Sequence, residues 1–135
     1  MMTPTRTFVA FDPHTRVISL ISRVFYLWRK RKHQNVDEIH AVDALNRDSL
    51  THDEVFVRFY ANHGGLVVSE FDDGFHDLIV ALTPIFPGIE RWNEVTPAAP
   101  LTEAVLLLWD RTANADTQVI NRALSACKSP TSGIQ

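Results

Sequence analysis

The segment 70–88 constrains the fold of this 135-residue chain more than any other. It starts with acidic residues, continues with an apolar stripe and stops at a Pro-Gly pair. The stripe predicts an amphipathic helix over about 74–86, because apolar side chains spaced three and four residues apart share one helical face. The stripe consists of Phe75, Leu78, Ile79, Leu82 and Phe86.

Both ends of this helix carry signals. Asp72 or Asp73 is expected to accept a hydrogen bond from the free amides of the first turn and to complement the helix dipole. Pro84 costs about 3 kcal/mol in a helix interior. Regular helix is therefore predicted to end or kink within the turn before Pro84.

The residues before the helix are predicted to form strands, because β-branched, aromatic and alternating residues dominate there. The segment 39–47 alternates weakly, and a helix over 36–45 is its alternative. After the helix, the wholly apolar segment 104–109 is read as a central strand, with a buried helix as the alternative. The predicted strands are residues 7–11, 16–22, 24–28, 39–47, 54–61, 66–70 and 104–109.

Strands followed by one main helix indicate an α+β fold in which the helix covers a sheet. The length indicates one domain with a real core. We assign residues 1–111 to that domain and residues 112–135 to a tail. The tail is expected to hold one short helix and then to be disordered; the helix would use Val119, Ile120, Ala123, Leu124 and Cys127.

The composition is typical of a globular protein. Hydrophobic residues make up 45% of the chain and charged residues 21%, which are ordinary globular values. The single cysteine excludes an internal disulfide and suits a reducing compartment. The N-terminus lacks the apolar run of a signal peptide, and no segment is long enough to span a bilayer. A cytoplasmic location without membrane insertion is therefore expected.

Charge is distributed unevenly along the chain. The net charge is −3, yet residues 1–35 hold seven Arg or Lys and one acid, whereas residues 36–110 hold fourteen acids and three Arg. These charges either pair across strands or give the molecule a basic and an acidic side. The densest basic run is Arg29, Lys30, Arg31 and Lys32.

That basic run has two interpretations. It is the solvated end of a strand, or it contacts an anion or an anionic lipid head group. Nucleic acid is disfavoured as a partner because the overall charge is negative.

Catalytic and metal-binding motifs are not found in the sequence. Six histidines show neither H-x-H nor H-E-x-x-H spacing. The acidic cluster of Glu70, Asp72, Asp73 and Asp77 could bind a divalent cation, but an acid-rich helix start explains it without a metal. No nucleophile motif and no phosphate-binding glycine loop occur. We expect no catalytic residues, no metal and no cofactor.

The order of strands, one helix ending in Pro-Gly and a late strand resembles the pleckstrin-homology-like (PH-like) architecture. It is more closely similar to small uncharacterised bacterial proteins of PH-like character. The resemblance implies a strongly bent antiparallel sheet, or a partly open barrel of about six to seven strands, capped by one helix. It rests on Ile39, Arg47, Asp48, Asp53, Ser69, Glu70, Gly74, Phe75, Leu82, Pro87, Gly88, Trp92, Trp109, Asp110 and Arg111.

These observations favour a non-enzymatic domain that binds a protein partner through sheet edges and loops. One version is an immunity-type protein that neutralises a bacterial toxin through an acidic face. The alternatives are anion or lipid binding through the basic run, and an enzyme without a recognisable motif. The candidate binding residues are Arg29, Lys30, Arg31, Lys32, Asp48, His52, Asp53, Asp72 and Asp73.

Overall fold

The computed structural model describes residues 6–24, 28–48, 51–97 and 99–112, with the backbone alone at residues 6, 23, 24 and 28–30. Seven antiparallel strands and one main helix confirm the predicted α+β class. The strands are β1 (Arg6–Asp12), β2 (Val17–Val24), β3 (Trp28–Asn35), β4 (Ile39–Asp48), β5 (Asp53–Ala61), β6 (Gly65–Ser69) and β7 (Glu103–Asp110). The helix α1 spans Phe75–Leu82, and short 3-10 helices span Val36–Glu38 and Ile89–Glu94.

The strands form two sheets. One has the order β1-β2-β3 and the other the order β6-β5-β4-β7; the described residues form no closed barrel. The change of sheet occurs at the 3-10 turn Val36–Glu38. Asn35 Oδ1 accepts a hydrogen bond from the Asp37 amide at 2.8 Å, which caps this turn. The turn redirects the chain, so that β4 pairs with β5 and β7 instead of β3.

Three strand predictions need correction. The basic run does not close a strand over 24–28, because it lies inside β3 and pairs with β2. The alternative helix over 36–45 is wrong beyond its first turn, since β4 starts at Ile39. The apolar segment 104–109 is a strand but not a central one: among the described residues, β7 lies at an edge of its sheet and pairs with β4 alone.

The two sheets and the helix share one hydrophobic core that extends from Val9 to Trp109. Phe59, Phe75 and Phe86 are its largest fully buried side chains. The Phe86 ring lies 4.8 Å from the Trp109 ring and 6.1 Å from the Phe59 ring, centroid to centroid. Each such side chain stabilises the fold by about 1.5–3 kcal/mol through burial. The core therefore joins α1 and the turn after it to the four-stranded sheet.

The helix is shorter than the predicted 74–86. It ends at Leu82, where the Thr83 hydroxyl donates to the Ile79 carbonyl at 2.7 Å and Pro84 follows. Phe86 remains buried although it lies beyond the helix, because a turn carries it back into the core. No helix in the described part of the chain is long and apolar enough to span a membrane.

The predicted cap of this helix is wrong. Gly74 holds the N-cap position with φ of +86°, and this residue makes no side-chain hydrogen bond to the first turn. The Asp72 carboxylate accepts instead from the Ser69 amide at 2.8 Å. The Asp73 backbone bonds to Thr7 and Val9 of β1. These bonds fix the loop before α1 against the three-stranded sheet.

Candidate protein-interaction surface

The turn between β4 and β5 brings two carboxyl groups together. Asp48 and Asp53 face each other in the last pair of the strand register. Asp48 Oδ2 accepts from the Leu101 amide at 2.9 Å. The hydrogen bond with Asp48 raises the pKa of Asp53, with partial desolvation and the nearby Glu70 charge acting in the same direction; His52 opposes them. Like charges held this closely favour the protonated form of one member.

The loop between β6 and α1 adds more carboxylates. The Glu70 carboxylate accepts from the Val55 amide at 2.9 Å, and Glu54 accepts from the Ser69 hydroxyl. Desolvation raises the pKa of Asp72, and the charges of Glu54 and Asp73 raise it further. The β5–β6 hairpin explains this grouping, because its register places Glu54 beside the end of β6.

An aromatic side chain stands among these acids. Phe71 is 61% exposed, although its ring is large and apolar. Its amide donates to the Ser69 hydroxyl at 3.1 Å, which fixes its backbone, and its ring lies edge-on to His52 at 5.8 Å. We call this set of residues the acidic surface; it consists of Asp48, His52, Asp53, Glu54, Glu70, Phe71, Asp72 and Asp73.

The acidic surface collects five of the nine residues that the sequence singled out: Asp48, His52, Asp53, Asp72 and Asp73. The other four lie on β3 in the other sheet. Arg31 and Lys32 are exposed there, and the side chains of Arg29 and Lys30 are outside the described residues. The candidate residues therefore form two separate groups rather than one site.

Sequence reasoning missed Glu54 and Phe71. The alternation of residues 54–61 predicts a strand that includes Glu54, and only the hairpin register reveals that this residue lies beside the β6–α1 loop. Phe71 lies four residues before Phe75, so its spacing alone would place it on the buried stripe. The run of acids on both sides of Phe71 was the available signal for its exposure.

A second polar cluster lies on the four-stranded sheet. Arg58 donates to both carboxylate oxygens of Asp43, at 2.7 and 2.8 Å, and the Tyr60 hydroxyl donates to the same carboxylate at 2.9 Å. The Asp43 bond raises the pKa of Arg58, and burial raises the pKa of Tyr60. With its hydrogen bonds made within the sheet, this cluster joins β4 to β5 rather than presenting a ligand site.

The acidic surface offers carboxylates, the His52 imidazole and one exposed aromatic ring. Among the residues that the structure describes, no three His, Cys, Asp or Glu side chains are placed to hold a metal ion. Comparisons with protein families, curated proteins and solved structures give no match to the chain. The function is therefore inferred from the residues of this surface alone.

Proposed function

We propose that this chain is a non-enzymatic binding domain that engages a basic protein partner through the acidic surface. The observation that carries the proposal is the exposed Phe71 ring, which lies edge-on to His52 and whose neighbours in the chain, Glu70 and Asp72, are acidic. Central aromatic anchors with a polar rim are typical of the residues that dominate binding energy in protein interfaces. Phe71 would enter an apolar recess of the partner, and the surrounding acids would meet its Lys and Arg side chains.

The raised pKa values of Asp53 and Asp72 support the same proposal. The hydrogen bond with Asp48 is the main cause at Asp53 and desolvation is the main cause at Asp72, and in both groups the charges of neighbouring carboxylates raise the pKa further. A cationic partner would offset these neighbouring charges, because an opposite charge favours the ionised form of each acid. Electrostatic attraction would also speed association and make it dependent on salt.

The proposal is tested by titration calorimetry with the product of the neighbouring gene as the probe. Phe71→Ala should raise the Kd about tenfold or more, because burial of a phenylalanine ring is lost. Val80→Ala is the matched control, since Val80 is a 74% exposed apolar residue on α1 outside the acidic surface. Equal effects of the two substitutions, or no effect of Phe71→Ala, would contradict the proposal.

The charge contribution is tested with the double variant Asp48→Asn, Asp53→Asn. We expect weaker binding at low salt and a shallower salt dependence than in the native chain, because fewer carboxylates meet the partner. Thermal unfolding of each variant checks that the fold is retained. Binding that does not respond to salt would argue against an acidic contact.

One specific version is an immunity-type role, in which the partner is a toxin from the neighbouring gene. The acidic surface supports it by offering a charged face to a basic target. Co-expression with that gene product tests it: the native chain and the Val80→Ala variant should restore growth, and the Phe71→Ala variant should not. Growth that is independent of this chain would eliminate the toxin version.

We also propose the PH-like class for the fold. The antiparallel strands and the one main helix of the described residues support it. Within the described residues, one feature departs from the single bent sheet that the resemblance implies: the strands divide into two sheets. An experimental structure of the whole chain tests this class, and a helix that closes one end of a bent sheet would support it.

A further inference from the structure

A groove of about 400 Å³ opens on the three-stranded sheet, and no residue of its described lining belongs to the acidic surface. Its described lining is Leu20 and Ser22 of β2 with Arg31 and Lys32 of β3. Arg31 and Lys32 are exposed, whereas Leu20 and Ser22 are half-buried. The groove therefore combines an apolar floor with a cationic rim.

The strand register explains this combination. Leu20 is paired with Val9 on one side and with Lys32 on the other, so the three side chains lie in one row on the same face. Val9 is buried, and Leu20 packs against the core. Along this row the face changes from buried and apolar at β1 to exposed and cationic at β3.

The next row along the sheet is polar. It contains Thr7 and Ser22, which pair in the register of β1 and β2. The Thr7 and Ser22 hydroxyl oxygens lie 3.3 Å apart and share a hydrogen bond. This row sets hydroxyl groups beside the apolar floor, close to the cationic rim.

We propose that this groove binds an amphipathic anion, with an alkyl chain on Leu20 and an anionic head group at Lys32. The apolar floor favours a chain, because contact with Leu20 removes apolar surface from water. The ammonium of Lys32 favours an oxyanion head through a charge-assisted hydrogen bond. A bare inorganic anion would use only the rim, and a neutral alcohol would use only the floor.

Binding is measured by the change in amide resonances on titration with decyl phosphate below its critical micelle concentration. Inorganic phosphate and decanol are the head-only and tail-only probes, and each should bind at least about tenfold more weakly. Equal affinity for phosphate and decyl phosphate would overturn the apolar part of the proposal. Equal affinity for decanol would overturn the cationic part.

Lys32→Gln should weaken decyl phosphate binding about tenfold. Arg91→Gln is the matched control, because Arg91 is an exposed cation on the 3-10 helix Ile89–Glu94 and its loss changes the net charge equally. Ser22→Phe fills the groove and should abolish binding, with thermal unfolding as the check on its fold. Unchanged affinity in Lys32→Gln would overturn the proposal even if Ser22→Phe failed to fold.

A separate arm distinguishes a free amphiphile from a membrane surface. Phosphatidylcholine vesicles with about a third phosphatidylserine are added to the native chain at low salt. We expect decyl phosphate to bind whether or not the chain sediments with these vesicles. Sedimentation with vesicles but no binding of decyl phosphate would overturn the groove site in favour of adsorption by the basic strand.

Discussion

Gly74 joins the acidic surface to α1 with φ of +86°, a conformation that side chains with a Cβ rarely adopt. A Cβ at this position would lie 2.5 Å from the Val9 carbonyl oxygen, so the bonds between Asp73 and β1 would have to shift. Gly64 has nearly the same φ, +85°, with nothing within 4 Å of its Cβ position. It is therefore a matched control that separates the backbone cost from the steric cost.

We predict that Gly64→Ala lowers the free energy of unfolding by about 1 kcal/mol, from the left-handed backbone alone. Gly74→Ala should lower it by about 2–4 kcal/mol, because the clash with β1 adds to that cost. Urea denaturation measures both. Equal losses would show that the loop before α1 moves freely and is not held by β1.

Asp53 gives a prediction for pH. Its pKa lies above the ordinary value of 3.8, mainly because of the hydrogen bond with Asp48. The native state therefore keeps this proton to higher pH than the unfolded state does. The ionisation of Asp53 therefore lowers the free energy of unfolding as pH rises from 3.8 through the raised pKa. Asp53→Asn should be more stable than the native chain near neutral pH, and the difference should close as pH falls below 3.8.

Asp37 is the control of opposite sign. The hydrogen bond from Arg16, at 2.9 Å, lowers the pKa of Asp37. The stabilisation of the fold by the ionised Asp37 is therefore fully present above pH 3.8 and is lost as pH falls through the lowered pKa. Asp37→Asn should therefore be less stable than the native chain near neutral pH. Urea midpoints across the acid range measure both differences. The same sign for the two variants would contradict these assignments.

At the scale of elements, the sequence predicted α1 well because its signal is local. The spacing of Phe75, Leu78, Ile79 and Leu82 requires only that one face meet a core, and all four are buried. The capping prediction failed because Asp72 has two local partners in competition, the helix start and the Ser69 amide. Sequence alone does not decide between them, since the choice depends on how β1 holds the loop.

The position of β7 was not predictable in the same way. A run of apolar residues from Ala104 to Trp109 looks like a strand buried on both faces. In the part of the chain that the structure describes it is an edge strand, and Val105 and Leu107 on one face are 58% and 55% exposed. Strand order depends on contacts distant in sequence, here between β4 and β7, which periodicity does not encode.

The two sides of β7 give a prediction for stability. Leu107→Thr should change the free energy of unfolding by no more than about 0.5 kcal/mol, because Leu107 is mostly exposed. Leu108→Ala should cost about 2–4 kcal/mol, since Leu108 is 6% exposed and belongs to the core. Urea denaturation compares them. A large loss for Leu107→Thr would show that this face of β7 is covered in solution.

Part of the acidic surface was predictable from the sequence, because some of its residues lie close together in the chain. Asp72 and Asp73 are adjacent in sequence, and Asp48 and Asp53 flank one turn, so each pair was found locally. The two pairs lie on one surface because of the β5–β6 register. The Gly64–Gly65 turn sets this register, but nothing in the sequence of the turn indicates a binding site. A surface that combines two loops can be predicted only when the pairing of the strands between those loops is known.

At the scale of the whole molecule, the charge pattern of the sequence follows the division into sheets. The basic first part of the chain forms β1, β2 and β3, and the acidic part contributes every strand of the other sheet. A net charge of only −3 gives little overall repulsion between copies. The basic strand of one molecule can therefore attract the acidic surface of another when salt does not screen the two.

We predict association that depends on concentration at about 10 mM salt, where charges act over about 30 Å, and monomers at about 0.3 M, where screening confines them to contact. Lys32→Gln should weaken association at low salt, because Lys32 is exposed in the basic strand. Arg91→Gln changes the net charge equally but lies outside both groups, so it should associate like the native chain. Sedimentation velocity distinguishes these outcomes. Equal weakening by the two substitutions would mean that net charge, rather than the separation of charge between the sheets, controls association.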